Sequence, residues 1–196
     1  MNAKDATAIA IASTAAIWVV EEGMEYAAAK RKAAAALGGR PELPSNEQLE
    51  DAVREHIALF CADSQPGELR ALREVALLWM TRMHEFRPHL GGAVWRGTAT
   101  RNSAVLLDLY CDDPKAAEIT LINRGQDYDS GELPGKGREP VSVLTVATQS
   151  LALKDTVTVH LILHDADDQR GALRPDARGR SWRGDCAALE KLMAIE

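Results

Sequence analysis

The stretch Gly91–Pro114, GGAVWRGTATRNSAVLLDLYCDDP, decides the fold. Its second half, Ala104–Cys111, is nearly continuous in apolar residues, the pattern of a strand covered on both faces. Ala93–Arg96 reads as a shorter strand, and the polar run Gly97–Ser103 as the turn between the two. Asp112-Asp113-Pro114 then opens a helix, with an acidic cap and proline in its first turn. The chain upstream is patterned as helix and the chain downstream mainly as strands. The stretch therefore separates a helical region, 1–90, from a sheet-bearing region, 91–196.

Upstream, apolar residues recur at helical spacing from about residue 5 to 22: Ile9, Ala12, Ala16, Val19 and Val20. Gly23 ends this helix. A second runs from about 25 to 37 with Tyr26, Ala29, Ala33 and Leu37 on its narrow apolar side, so 5–38 is expected to be a helical hairpin. Its triplet Lys30, Arg31 and Lys32 reads as a solvated face offset by Glu21, Glu22 and Glu25. Residues 39–44 form a proline-bearing linker, and two helices follow within 45–87. Ser45 with Gln48 has capping-box spacing, and Leu49, Val53, Ile57 and Phe60 mark the buried stripe behind it. The next helix carries Leu69, Leu72, Ala76, Trp79, Met80, Met83 and Phe86, an apolar face wide enough to cover one side of a sheet. His56, His84 and His89 read as packing or surface histidines.

Downstream, Lys115–Asn123 is a helix, and Gln126–Leu133 is expected to pair with Glu139–Ala147 across a Pro134–Gly137 turn. Thr156–His164 is a second strong strand, with Val157, Val159, Leu161 and Leu163 on one face and Thr158, His160, Ile162 and His164 on the other. An arginine-rich loop follows, and Asp185 caps a closing helix. The expected fold is α+β: an N-terminal helical region packed on a small mixed sheet of about four or five strands.

The chain has 196 residues and a net charge of −6, shared equally by the two regions, so neither half is a basic anchor for nucleic acid. Cys61, Cys111 and Cys186 are too few and too scattered for a disulfide framework or a CxxC metal site. The apolar start is interrupted by Asp5 and followed at once by Glu21 and Glu22, which fits a helix rather than a signal peptide or membrane span. These features predict a cytoplasmic protein without membrane association. Alanine-rich helices would suit a homodimer.

The Gly91–Pro114 stretch resembles the core of the nucleotidyltransferase superfamily, the polymerase-β-like fold: a glycine pair, a short gap, then a strand with alternating aspartates. Gly97-Thr98 stands for the glycine pair and Ser103 for the serine before the strand. The helix pair Glu21–Gly38 and the run GTATRNS followed by a strand and DDPK resemble a family of small bacterial proteins of this fold. The resemblance implies two carboxylates on one strand face holding Mg²⁺, which grips a nucleoside triphosphate. Here the two expected aspartates are Ala104 and Leu106.

Three readings follow. A catalytically degenerate member, a pseudoenzyme, would bind a nucleotide, an acidic ligand or a partner through the same groove. An active Mg²⁺-dependent enzyme would need a displaced carboxylate set of Asp108, Asp112 and Asp165, with Asp108 and Asp112 as the catalytic candidates; otherwise no metal is expected. A regulatory or structural interaction protein is the third. In the first two, Gly97, Thr98, Arg101, Ser103, Arg174 and Arg178 are the candidate phosphate ligands. Under the plainer reading, Asp108 pairs with an arginine while Asp112 and Asp113 cap a helix.

Overall fold

The computed structural model describes residues 3–38, 41–134, 140–172, 175–176 and 178–195. It divides into two compact units, each discontinuous in sequence. One comprises Met1–Leu69 with Thr98–Ser103, the other Arg70–Gly97 with Ala104–Glu196. The chain passes from one unit to the other within a helix and again on either side of the Thr98–Ser103 loop.

The helical unit holds α1 (Ala3–Glu22), α2 (Tyr26–Leu37) and α3 (Asn46–Phe60). Its core is Ile11, Ala15, Ala16, Val19 and Val20 from α1, Ala29 and Ala33 from α2, and Leu49, Val53 and Ile57 from α3. Three residues expected in these stripes, Ile9, Leu37 and Phe60, are exposed. Leu37 and Phe60 end their helices, and Ile9 lies off the row of Ile11, Ala15 and Val19. The capping box forms as its spacing requires: Ser45 Oγ accepts the Gln48 N–H, and Gln48 Oε1 accepts the Ser45 N–H. Two members of the basic triplet have partners within the unit. Lys30 donates to the Pro44 carbonyl and Asn46, while Lys32 pairs with Glu22 at 3.1 Å and lies over the Trp18 ring.

The α/β unit is built on a five-stranded mixed sheet of order β1 (His89–Gly91), β2 (Val105–Cys111), β5 (Asp155–Asp165), β4 (Val141–Ser150), β3 (Asp129–Leu133). The β2–β5 pair is parallel and the others are antiparallel. Ala93–Arg96, expected as a strand, lies in a short helix, α5 (Gly92–Arg96). The strand that pairs with β2 is the three residues just before it. Gly92 and Gly97, at φ 64° and 78°, bracket α5 with left-handed backbone that breaks an extended run. The segment expected to turn at Pro134–Gly137 falls largely outside the described residues, but the strands on either side, β3 and β4, pair antiparallel.

The two sheet faces differ. Leu107, Leu109, Leu144, Val146, Val157, Val159 and Leu161 are on one face and buried. The α4 helix (Gln65–Arg82) serves that face, Trp79 donating its indole N–H to Thr148 at 2.6 Å. The other face carries Leu106, Asp108 and Tyr110 beside His160, Ile162 and His164, and four of these six are only half-buried. The α6 helix (Pro114–Asn123) starts as expected, with the Asp113 carboxylate accepting the Lys115 N–H. A short α7 (Gln169–Ala172) and α8 (Cys186–Ile195) complete the unit, with Asp185 accepting the Ala188 N–H at the start of α8. No helix among the described residues is long and apolar enough to cross a membrane.

Candidate functional site

The half-open sheet face gathers the chemistry of the α/β unit around Asp108. Strand alternation puts Asp108 and Tyr110 on that face, and the parallel register sets Tyr110 beside His164. His164 is thus one diagonal step from Asp108, and its Nε2 lies 2.5 Å from Asp108 Oδ1. Arg183 reaches the same carboxylate, Nε to Oδ2 and Nη2 to Oδ1 at 3.5 Å. The Asp108 side chain is 5% exposed, against 20% for His164 and 30% for Arg183. The carboxylate is therefore sealed beneath two partners that still meet solvent.

Burial alone would raise the Asp108 carboxyl, but the hydrogen bonds and charges of His164 and Arg183 outweigh it and hold the group below its ordinary value. Burial lowers the Arg183 guanidinium, and the Asp108 carboxylate more than reverses that. Tyr110 stacks on the His164 ring at 5.4 Å between centroids and meets His89 edge-on at 5.3 Å. Burial, with the Asp108 charge, pushes the Tyr110 hydroxyl up to about 12, so it stays protonated.

Arg183 is held by the segment that carries it. Gly184 exchanges two backbone hydrogen bonds with Leu90, at 2.8 and 3.0 Å, and Asp185 immediately caps α8. The Trp95 indole lies so close over Gly184 that an added Cβ would collide with its ring. Gly184→Ala is accordingly expected to cost about 1–3 kcal/mol by overpacking in urea unfolding, and to loosen the segment that presents Arg183. Arg96, Arg178 and Arg180 converge on Asp176. That carboxylate accepts from Arg96 at 3.0 Å, from the Arg180 side chain at 3.2 Å, and from the Arg178 and Arg180 backbone. Arg96 also lies over the Trp182 ring.

The sequence candidates are dispersed. Gly97 ends α5 in the α/β unit, whereas Thr98, Arg101 and Ser103 belong to the helical unit. There the loop closes the C-terminal end of α1. Thr100 donates its hydroxyl to the Val20 carbonyl and Asn102 its amide to the Glu21 carbonyl, satisfying acceptors that a helix end leaves open. Ser103 Oγ accepts the Thr100 N–H, and Glu68 accepts the Arg101 N–H. Thr98 is buried. Arg178 is exposed, and Arg174 lies outside the described residues. Asp112 and Asp165 are exposed just beyond β2 and at the end of β5. Among the described residues, no three His, Cys, Asp or Glu side chains are grouped so as to hold a metal ion. A Mg²⁺ pair does not fit this donor set: Ala104 and Leu106 offer no oxygen, and Asp108 already has hydrogen bonds to both its oxygens.

Of the Asp108 cluster, the sequence pointed to the carboxylate and to an arginine partner in kind. It did not single out His164 or Arg183. The available signal was the alternation of Thr156–His164, which puts His164 on the face opposite the apolar one. The missing one was the β2–β5 register. Comparison with protein-family models, curated proteins and solved structures finds no match to this chain.

Proposed function

We propose that the α/β unit is a nucleotidyltransferase-like domain that has lost metal-dependent transfer and binds a phosphate-bearing ligand, a nucleotide in the first instance, on its half-open sheet face. One observation carries the reading: Asp108, the carboxylate of β2, is buried and hydrogen-bonded by His164 and Arg183 instead of lying open to a cation. Arg183 Nη1 has no partner among the described residues and is the donor left for a phosphate oxygen. Leu106, His160 and Ile162 share the sheet face of Asp108 and are half-buried. A pseudoenzyme of this kind needs neither Mg²⁺ nor the aspartates that Ala104 and Leu106 replace.

Titration calorimetry with ATP in EDTA tests it. The expected result is binding that Mg²⁺ does not strengthen and that Arg183→Gln weakens at least tenfold, a loss of about 1.4 kcal/mol or more. Absence of binding, or nucleotidyl transfer that requires Mg²⁺ and Asp108, would overturn it; the second result would favour the displaced carboxylate set.

A further inference from the structure

We infer that His164 is a general base that lets this site hydrolyse a phosphoanhydride without a metal, with Asp108 as its positioning residue. The inference rests on the phosphate-ligand reading above and goes beyond it, because binding alone requires no base.

The argument starts from the tautomer. Asp108 is ionised and can only accept, so the proton in its bond with His164 must sit on Nε2. In its neutral form the ring then carries its lone pair on Nδ1. That atom has no hydrogen-bond partner among the described residues, and the side chain is 20% exposed. The stack on Tyr110 and the bond to Asp108 fix the ring in plane and in direction. A carboxylate that selects the tautomer, a ring held in place and an unpartnered lone pair on a partly exposed side chain are what a base needs before substrate arrives.

The other histidines near this face are placed differently. His89 is buried, with Nδ1 2.9 Å from the Arg87 carbonyl oxygen. His160 Nδ1 is 2.9 Å from Thr145 Oγ1. Arg183 shares Asp108 with His164, so a cation stands beside the base, where charge grows on a phosphoryl group in the transition state.

In the step itself, a water oxygen attacks the terminal phosphorus as its proton passes to His164 Nδ1. The P–O bond to the bridging oxygen breaks, and the nucleoside diphosphate leaves with that electron pair. The imidazolium then returns its proton to a product oxygen or to solvent. No oxidant, reductant or cofactor is consumed.

The test is release of inorganic phosphate from ATP in EDTA, with ATP affinity measured in parallel. The wild-type chain is expected to turn over slowly and equally well with or without Mg²⁺. In His164→Gln, kcat should fall about 100-fold while ATP affinity stays within about threefold. A wild type that binds ATP and releases no phosphate overturns the inference and leaves the binding reading standing, as does a His164→Gln chain that is as fast as the wild type. A wild type that does not bind ATP overturns both. Nitrogen-15 NMR of the wild-type histidines adds a readout that needs no variant: His164 should be the Nε2–H tautomer, and an Nδ1–H tautomer would remove the base.

Discussion

Asp108→Ala is expected to destabilise the α/β unit by about 3–5 kcal/mol at pH 7, the usual cost of breaking a buried ion pair by removing one partner. The loss is larger than the pair's own attraction because of what it leaves behind. Arg183 remains half-buried with no carboxylate, and His164 loses the acceptor of its Nε2 proton. Asp108→Asn keeps the shape and still fails: it carries no charge to pair with Arg183, and while its oxygen accepts from one partner its NH2 group meets the N–H of the other. Three of the four tryptophans, Trp79, Trp95 and Trp182, lie in this unit, so indole fluorescence during urea unfolding reports the change.

The same carboxylate predicts the sign of a pH effect. Its value in the folded chain is lowered, so the unfolded chain binds the proton more readily. The stabilisation is complete above the unfolded value, about 3.9, and is lost as pH falls through the folded value. The stability gap between wild type and Asp108→Asn should therefore be full at pH 7 and shrink on acidification below about pH 4. A gap that stayed constant down to pH 2 would mean that Asp108 is not the ionised centre of the cluster.

Local signals were legible where they are strong and contiguous. The Ser45–Gln48 spacing, the Asp113-Pro114 start of α6 and the alternation of β5 each involve residues a few positions apart, and each is realised. Ala93–Arg96 reads as a strand because the run Ala-Val-Trp is apolar and too short to show a helical period, whereas it lies in the helix Gly92–Arg96. Its helical state is set by glycines at its two ends, which suit a strand turn equally well. The site was legible only in part for another reason. Asp108 and His164 meet through a parallel pair separated by 56 residues, and Arg183 arrives through a bridge from Gly184 to Leu90. Register of this kind is set by packing and by long connections, and no short window of sequence contains it.

Gly23→Ala is the second large effect expected, about 2–5 kcal/mol, and it falls on the helical unit. Gly23 has φ 65°, where a side chain costs roughly 1–2 kcal/mol. A Cβ there would also collide with the Asn102 backbone carbonyl, which cannot swing aside as a flexible side chain would. Overpacking against backbone adds about 1–3 kcal/mol. Moving Asn102 would strain its bond to the Glu21 carbonyl and, through the short turn, the Thr100 bond to Val20. Gly125→Ala separates the two costs. Gly125 has nearly the same φ, 62°, with nothing within 4 Å of an added Cβ, so it should lose only the backbone part, about 1–2 kcal/mol. Amide exchange locates the damage. The Thr100 and Ser103 N–H groups, which close the turn at 3.1 and 2.8 Å, should exchange faster in Gly23→Ala and be unchanged in Gly125→Ala. Equal losses in the two variants would mean that the loop does not depend on its close approach to Gly23. Unequal losses would make Gly23 and the GTATRNS run one structural device, a helix terminus and the cap that closes it.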